Sequence, residues 1–400
     1  SLHQAENIFN LKTIKFNANS LHSKLDIESL SLAADNYRLN LKGELQTAHD
    51  YQHKLYIDWH TELPSKAALN GNGKIEGNVT TSNIQQQMNG PIQLTFNAEI
   101  NDLIKHLNWQ ADATFTDINF GELMPDWPGH LKGTLSSKGR LDNGQLHADA
   151  NLIQLTGKLR GYPVSLNSQL AWLNNGLDIS LFDLHSGLAR ASARGRISNE
   201  VNLSWDITSN SLAELYPQAE GQFQGKGRFS GSLAEPKINA TLNGKALRLL
   251  DYEIDTLDGE FSVDLFRWQH IKVKLASHAL KLKDIEIQSL HLDADTRYMS
   301  LKAISGVASA QIEVRGKADD QGWRGNIEKF DIQSQRFANW KLNSPARLNL
   351  SKKTFLLESL CLQSQEAKLC TKLRREKLMW KSRVEMSKLP LFLFSPWPVS

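Results

Sequence analysis

Apolar and polar residues alternate strictly along this chain, in run after run, and a period of two is the signature of a β-strand with one wet face. Ile92, Leu94, Phe96, Ala98 and Ile100 make one run; Val201, Leu203, Trp205 and Ile207 make another; Phe261, Val263 and Leu265 follow, then Ile271, Val273 and Leu275. Lys, Asn, Ser, Asp and Gln fill the places between. A sheet with one apolar and one polar face favours antiparallel pairing over a parallel sheet, which helices cover on both faces. Helical patterns are few and short: Ser209 to Tyr216, closed by Pro217, and Asp102 to Leu107. No helical layer is available to cover the apolar face. The expected fold is all-β, built of short, mainly antiparallel strands with a few short helices.

The phase of the alternation slips. Leu280 and Leu282 give way to Ile285 and Ile287, and these to Leu290 and Leu292. A slip of one residue turns a strand inside out, so a bulge or turn is predicted near Asp284 and again near Ser289. Short strands with closely spaced breaks are the expected result.

At 400 residues the chain exceeds what one compact core organises, roughly 250 to 300. Yet no linker divides it: the 11 prolines and 25 glycines are scattered, with no Ser/Gly tract and no charge block. Repetition organises it instead. Gly121-Glu122-Leu123-Met124-Pro125 aligns without gaps on Ala213-Glu214-Leu215-Tyr216-Pro217. The same offset places Gly129 on Gly221, Gly133 on Gly225, Gly139 on Gly231, Leu141 on Leu233 and Ala148 on Ala240. A weaker copy sets Gly71, Gly73 and Gly77 against Gly225, Gly227 and Gly231. The unit reads as a short helical turn ending in Pro, then glycine-punctuated strands, since glycine permits tight bends and close backbone approach. Leu389, Pro390 and Trp397-Pro398 resemble another such turn. The expected organisation is one elongated domain with a first segment at 1–120, a repeat unit at 121–212, further units at 213–388, and 389–400 as the truncated start of another.

Lys+Arg number 46 against 43 Asp+Glu, a net charge of +3 with the signs interspersed. Without a basic stripe to neutralise phosphates, nucleic acid is excluded as a partner. The longest apolar run, Leu391 to Phe394, is far short of the ~20 residues of a membrane-spanning helix, and no export signal opens the chain. Ser1 to Asn10 already read as patterned sequence, as in an internal fragment of a longer protein.

Few residues offer chemistry. Cys361 and Cys370 flank Leu362 to Leu369, and a turn at Gln365-Glu366 would set them opposite each other on adjacent strands. With no Cys/His partners for tetrahedral zinc nearby, the pair is expected to form a disulfide. His49, His53 and His60, with Asp50 and Asp58 between them, have a metal-like look, but Tyr51, Leu55, Ile57 and Trp59 read as a strand, which does not bring His-x-x-x-His onto one face. The Gly-x-Gly-x-x-x-Gly pattern at Gly71 and Gly225 has the wrong spacing for either phosphate motif, and no helix follows it. No nucleophile elbow or paired-carboxylate motif assembles, so neither catalysis nor a cofactor nor a metal is expected. A carbohydrate-active repeat enzyme would lack its paired acids.

The run from Gly221 through Gly225, Gly227 and Gly231 to Pro236, Ala240, Gly244 and Ala246, followed by Ile254-x-x-Leu257 and Phe261, resembles the TamB family within the AsmA-like, bridge-like lipid transfer group. Leu212 to Leu265 carries the most specific likeness. The resemblance implies a β-taco, a long U-shaped, open β-solenoid-like groove, greasy inside and wet outside. It implies the periplasm, as part of an inner-membrane-anchored protein of a Gram-negative bacterium, with an outer-membrane Omp85-type barrel, TamA, as partner through a region outside this chain. Family members also tend to carry a cysteine pair. Alternation alone leaves the apolar face open to two readings, the core of sandwiches or a closed solenoid, or a groove open to phospholipid acyl chains. The resemblance favours the groove, with Leu94, Phe96, Val201, Leu203, Trp205, Phe261, Val263, Leu265, Ile271 and Val273 as lining and the intervening polar residues, Asn202 and Asp264 among them, facing water. The expected function is conduction of phospholipid between inner and outer membrane in support of envelope assembly. The alternative is a structural or adhesive β-solenoid scaffold of the cell surface without lipid transport. Roughly 30 strands stacked at about 4.8 Å make a rod on the order of 140 Å long; small-angle scattering should give that maximum dimension, and a compact globule would refute it.

Overall fold

The computed structural model describes residues 11–387, apart from 49, 105, 174, 265–269, 284, 320, 352–353 and 377–378. The chain divides into two compact units, Ser1–Ser198 and Asn199–Ser400. Among the described residues, the first unit is a ladder of strands from Leu11–Leu21 to Ala189–Ile197, each paired antiparallel with the next in sequence. The second unit repeats the arrangement from Glu200–Ser209 to Met379–Ser387. One rung there is split. Trp340–Leu342 and Ala346–Leu350 lie end to end between Gly322–Ser334 and Thr354–Ser364, pairing with both.

Local chemistry sets the hairpins. Asn143 (φ 48°) and Gly144 (φ 77°) join Gly129–Asp142 to Gln145–Leu159. Two consecutive left-handed residues match the right-handed twist of the strands, and Asn-Gly adopts them at least cost. Arg160 (φ 51°) and Gly161 (φ 85°) turn the next corner the same way. The Arg160 guanidinium lies 4.6 Å over the Trp127 ring and 5.6 Å from that of Tyr162. Partial burial there pulls its pKa below the ordinary arginine value.

The phase slips fall inside strands rather than between them. Gln154 (φ 51°) sits at a register shift between Leu152 and Leu155, and Ser359 (φ 40°) at another between Leu357 and Leu360. Near Ser289 the strand Ile285–Asp295 runs unbroken. The irregularity lies across the ladder at Ala279 (φ 47°), between the pairs His278↔Ser289 and Leu280↔Ile287. The slip predicted near Asp284 is the exception and falls between strands: a turn joins Leu282 to Ile285, which pair, and Lys283 takes φ 52°, Asp284 itself lying outside the described residues. Because one left-handed residue resets the phase without ending the hydrogen-bond ladder, strands reach 15 residues, as in Gln145–Leu159 and Glu235–Leu249, where short strands with closely spaced breaks were expected.

Of the two predicted helical segments, the one ending at Tyr216 contains a 3-10 turn at Leu212–Glu214. Asp102–Leu107 is no helix: Asp102 takes φ 52°, and a hairpin loop joins strands whose ends pair as Asn101↔Asn108. Antiparallel pairing so close to the loop leaves no length for a helical turn. A single α-turn at Phe120–Leu123 occupies the place equivalent to the 3-10 turn in the sequence repeat. Strands of 14 and 15 residues follow each of them. Residues 389–400 and Ser1 to Asn10 lie outside the described residues.

Cys361 and Cys370 are bonded, directly opposite in register with Cα atoms 4.0 Å apart, and Gln365 (φ 49°) makes the turn between their strands. Closing a loop this short removes about 2.7 kcal/mol of unfolded-chain entropy at 25 °C. Thiol titration of denatured, unreduced protein should find no free thiol, and Cys361→Ser/Cys370→Ser should lower urea stability by roughly 2–3 kcal/mol.

Candidate functional site: a continuous apolar sheet face

Residues paired across an antiparallel ladder put their side chains on the same face. Tracing pairs from strand to strand in the second unit therefore maps that face. One row runs Leu203–Phe229–Ile238–Val263–Ile271. The next runs Trp205–Gly227–Ala240–Phe261–Val273–Ala294. A third runs Ile207–Gly225–Leu242–Gly259–Leu275–Leu292. Val201 stands beside them, paired with Gly231. All seven described candidates of this unit thus share one face, and every one of them is half-buried. The rows continue toward Val314, Trp323, Ile327, Ala346, Leu357 and Leu360, which form a fully buried cluster on the later strands. Leu265 is outside the described residues.

Leu94 and Phe96 belong to the first unit, where Trp59–Gly71–Met88–Leu94–Phe115–Gly133 form one row of an equivalent face. Both are half-buried.

The opposite face is wet and ionic. Asn202, Ser204, Asp206, Arg228, Asn239 and Lys272 are exposed. Arg228 Nε donates to Asn202 Oδ1 at 2.9 Å, and Ser262 Oγ to Asn239 Oδ1 at 2.6 Å. Lys272 Nζ donates to Glu260 at 2.7 Å. That contact, with the lysine's charge, holds the Glu260 carboxyl below the usual carboxylate range. Asp264 corrects the expectation of an exposed residue. It is only 4% exposed, its carboxylate is 3.5 Å from Lys237 Nζ, and it pairs with Lys237 in register. Facing away from the apolar rows is not the same as facing water, because the end of a strand can be covered by its neighbours.

The histidines do not converge. His53 and His60 are seven apart on the strand His53–Glu62 and so point to opposite faces. His53 contacts Tyr51 O and Ser82 Oγ, each at 3.0 Å, and His60 contacts Asn70 Oδ1 at 2.7 Å. His49 is outside the described residues. The Gly71 and Gly225 patterns lie within strands Ala68–Gly77 and Ala219–Ser232. Among the described residues no helix is long and apolar enough to cross a membrane.

The family described as TamB, N-terminal domain, matches residues 102–376. The chain belongs to the TamB family. A curated relative, the translocation and assembly module subunit TamB of Haemophilus influenzae, is 22% identical over 361 residues, covering 87% of this chain. The chain spans 26% of that relative's length.

Periodicity missed part of this TamB-family face. Phe229, Ile238 and Leu242 stand in the rows beside the predicted residues, but the glycines at 225, 227, 231 and 244 interrupt the alternation that would have marked them. Only the pairing register reveals them. An open face also behaves differently from a filled core. Truncating a fully buried Ile to Ala costs about 2–5 kcal/mol, so Ile238→Ala, half-buried, should cost roughly half as much in urea denaturation; a loss above about 4 kcal/mol would mark a closed core.

Proposed function

We propose that this chain is a non-catalytic segment of a hydrophobic groove that conducts phospholipid across the periplasm, between the inner and outer membranes of a Gram-negative bacterium. One observation carries the reading: apolar rows run across the strands from Glu200–Ser209 to Ile271–Leu282 with their large side chains half-buried. Acyl chains are the natural occupants of such a surface. Their burial is favourable by ~0.8 kcal/mol per CH₂ and has no preferred direction, so a chain can slide along rows that repeat the same chemistry. Leu94, Phe96, Val201, Leu203, Trp205, Phe261, Val263, Ile271 and Val273 are assigned to the lining.

The relative's name supports placement in a translocation and assembly module. In the whole protein the groove would deliver lipid to an outer-membrane barrel of the Omp85 type, TamA, and would support envelope assembly through that supply. The disulfide supports an oxidising compartment, as the periplasm is.

Charge on the lining tests the reading. An ionised side chain without a partner in a low-dielectric track costs several kcal/mol. Leu203→Asp and Val263→Arg should therefore cut phospholipid bound per purified chain, counted by extraction and mass spectrometry, by about tenfold or more. Asn202→Asp, on the wet face, should leave it unchanged; Asp264, being buried, is no control. Circular dichroism should report all three as folded. Equal loss from inward and outward charges would reject the groove, and unfolding by Leu203→Asp alone would point to a sandwich core.

A further inference from the structure

Four tryptophans on the apolar face lie against glycines. Trp59 is paired with Gly71, Trp109 with Gly139 and Trp205 with Gly227. Trp323 rests on Gly325 of its own strand and on Gly316, which pairs with Gly325. A Cβ added to any of these five glycines would fall within 3.0 Å of the facing ring, closer than real Cβ atoms approach; at Gly139, Gly227, Gly316 and Gly325 it would also meet a backbone carbonyl oxygen, of His147, Asn239, Arg324 and Arg315 respectively. At Gly71 the three nearest atoms all belong to the Trp59 ring.

None of the five has the positive φ that would require glycine. Glycine also weakens a strand interior, where it gives up both backbone entropy and a packing side chain. Its presence here is therefore explained by space rather than by backbone conformation: each glycine leaves a flat place where an indole can lie down on the sheet.

The indoles are held down as well as accommodated. Trp59 Nε1 donates to Gln86 Oε1 at 3.0 Å, Trp109 Nε1 to Ser137 Oγ at 3.2 Å, and Trp323 Nε1 to Thr296 O at 2.9 Å. Trp205 has no such bond and is stacked instead on Phe229, with ring centroids 6.3 Å apart and planes at 29°. Gln86 and Ser137 are polar residues within otherwise apolar rows, and the ring N–H groups give them their purpose.

We propose that these tryptophan-on-glycine pairs set the clearance of the groove, keeping the largest side chains flat on its floor so that acyl chains pass above them. Gly71, where an added Cβ meets the ring first and no backbone atom is among its nearest neighbours, is then a clearance-determining residue: a side chain there lifts the Trp59 indole off the sheet and into the path of the cargo. The inference rests on the groove reading above and adds what determines its bore.

The cleanest pair, Trp59 and Gly71, supplies the test. A photoreactive diazirine side chain is installed at Met88, which pairs with Gly71 on the same face, and the chain is irradiated with vesicles of radiolabelled phosphatidylethanolamine. The parent chain should be labelled. Gly71→Val should be labelled less by about fivefold or more, the lower end of an overpacking penalty. Trp59→Leu removes the ring and keeps the glycine; Gly71→Val/Trp59→Leu, with no ring left to lift, should label like Trp59→Leu and above Gly71→Val. Circular dichroism and thermal melts establish that each variant is folded; where Gly71→Val is not, Gly71→Ala replaces it. A folded glycine variant labelled like the parent, or a double variant that stays low, overturns the clearance role while leaving the groove intact. Loss of label in Trp59→Leu alone overturns it in favour of a ring that touches the cargo. No label in the parent chain overturns the groove reading, and this inference with it.

Discussion

Cross-strand register is the constraint on which everything else in this molecule depends. Side-chain period in a strand is two, so a pairing error of a single residue would exchange the apolar and ionic faces of every strand beyond it. Here the rows hold from Glu200–Ser209 to Ile285–Asp295. They hold because the irregularities lie outside the stretch that carries the rows. At Gly221 (φ 96°) the pairing shifts by one residue, from Gln222↔Lys245 to Glu220↔Arg248, while on the other side of Ala246 (φ 49°) the pairs Lys245↔Thr256 and Leu247↔Ile254 stay in step. Left-handed alanine and glutamine are costly, at roughly 1–2 kcal/mol each. That cost is borne inside strands because the alternative, apolar residues on the wet face, is worse.

The two faces divide the work of specifying that register. On the wet side, Lys272 with Glu260 and Arg228 with Asn202 join neighbouring strands, though exposed pairs of this kind contribute little to stability. Their effect is on the choice of neighbour: Tyr252–Asp264 carries only acidic charges and Ile271–Leu282 only basic ones. Stability comes from the other side. The fully buried cluster around Val314, Trp323 and Ile327 and the disulfide-closed hairpin at Cys361 and Cys370 both belong to the later strands of the second unit. On the strands from 200 to 282 the large side chains of the apolar rows, Leu203, Trp205, Phe229, Ile238, Phe261 and Val263 among them, are half-buried.

How far the sequence could be read follows from the same physics. Ile92 to Ile100 and Val201 to Ile207 were legible as strands with a known inward face, because uninterrupted alternation leaves no second solution. The offset repeat located both helical turns, at Phe120–Leu123 and Leu212–Glu214. Asp102–Leu107 misled, since a short apolar spacing in a hairpin loop imitates one helical turn. Asp264 misled for another reason: alternation assigns a face but not the depth at which a residue sits on it. The glycines hid the most. Gly71 follows Trp59 by twelve residues, Gly139 follows Trp109 by thirty and Gly227 follows Trp205 by twenty-two. No fixed spacing links ring to glycine, because the separation depends on the hairpin between them.

A greasy surface that carries cargo has a requirement that a greasy core does not, which is that no point on it should hold the cargo. An unsatisfied donor on such a face would bind lipid ester or headgroup oxygens and stop the flow, since in a low dielectric a lone hydrogen bond is worth far more than in water. The ring N–H groups of Trp59 and Trp109 are such donors, and Gln86 Oε1 and Ser137 Oγ accept from them. On the proposed reading, the acceptor that satisfies each ring also holds it flat against its glycine, so size and polarity are handled by one contact. The Thr296 carbonyl does the same for Trp323, accepting from its ring N–H.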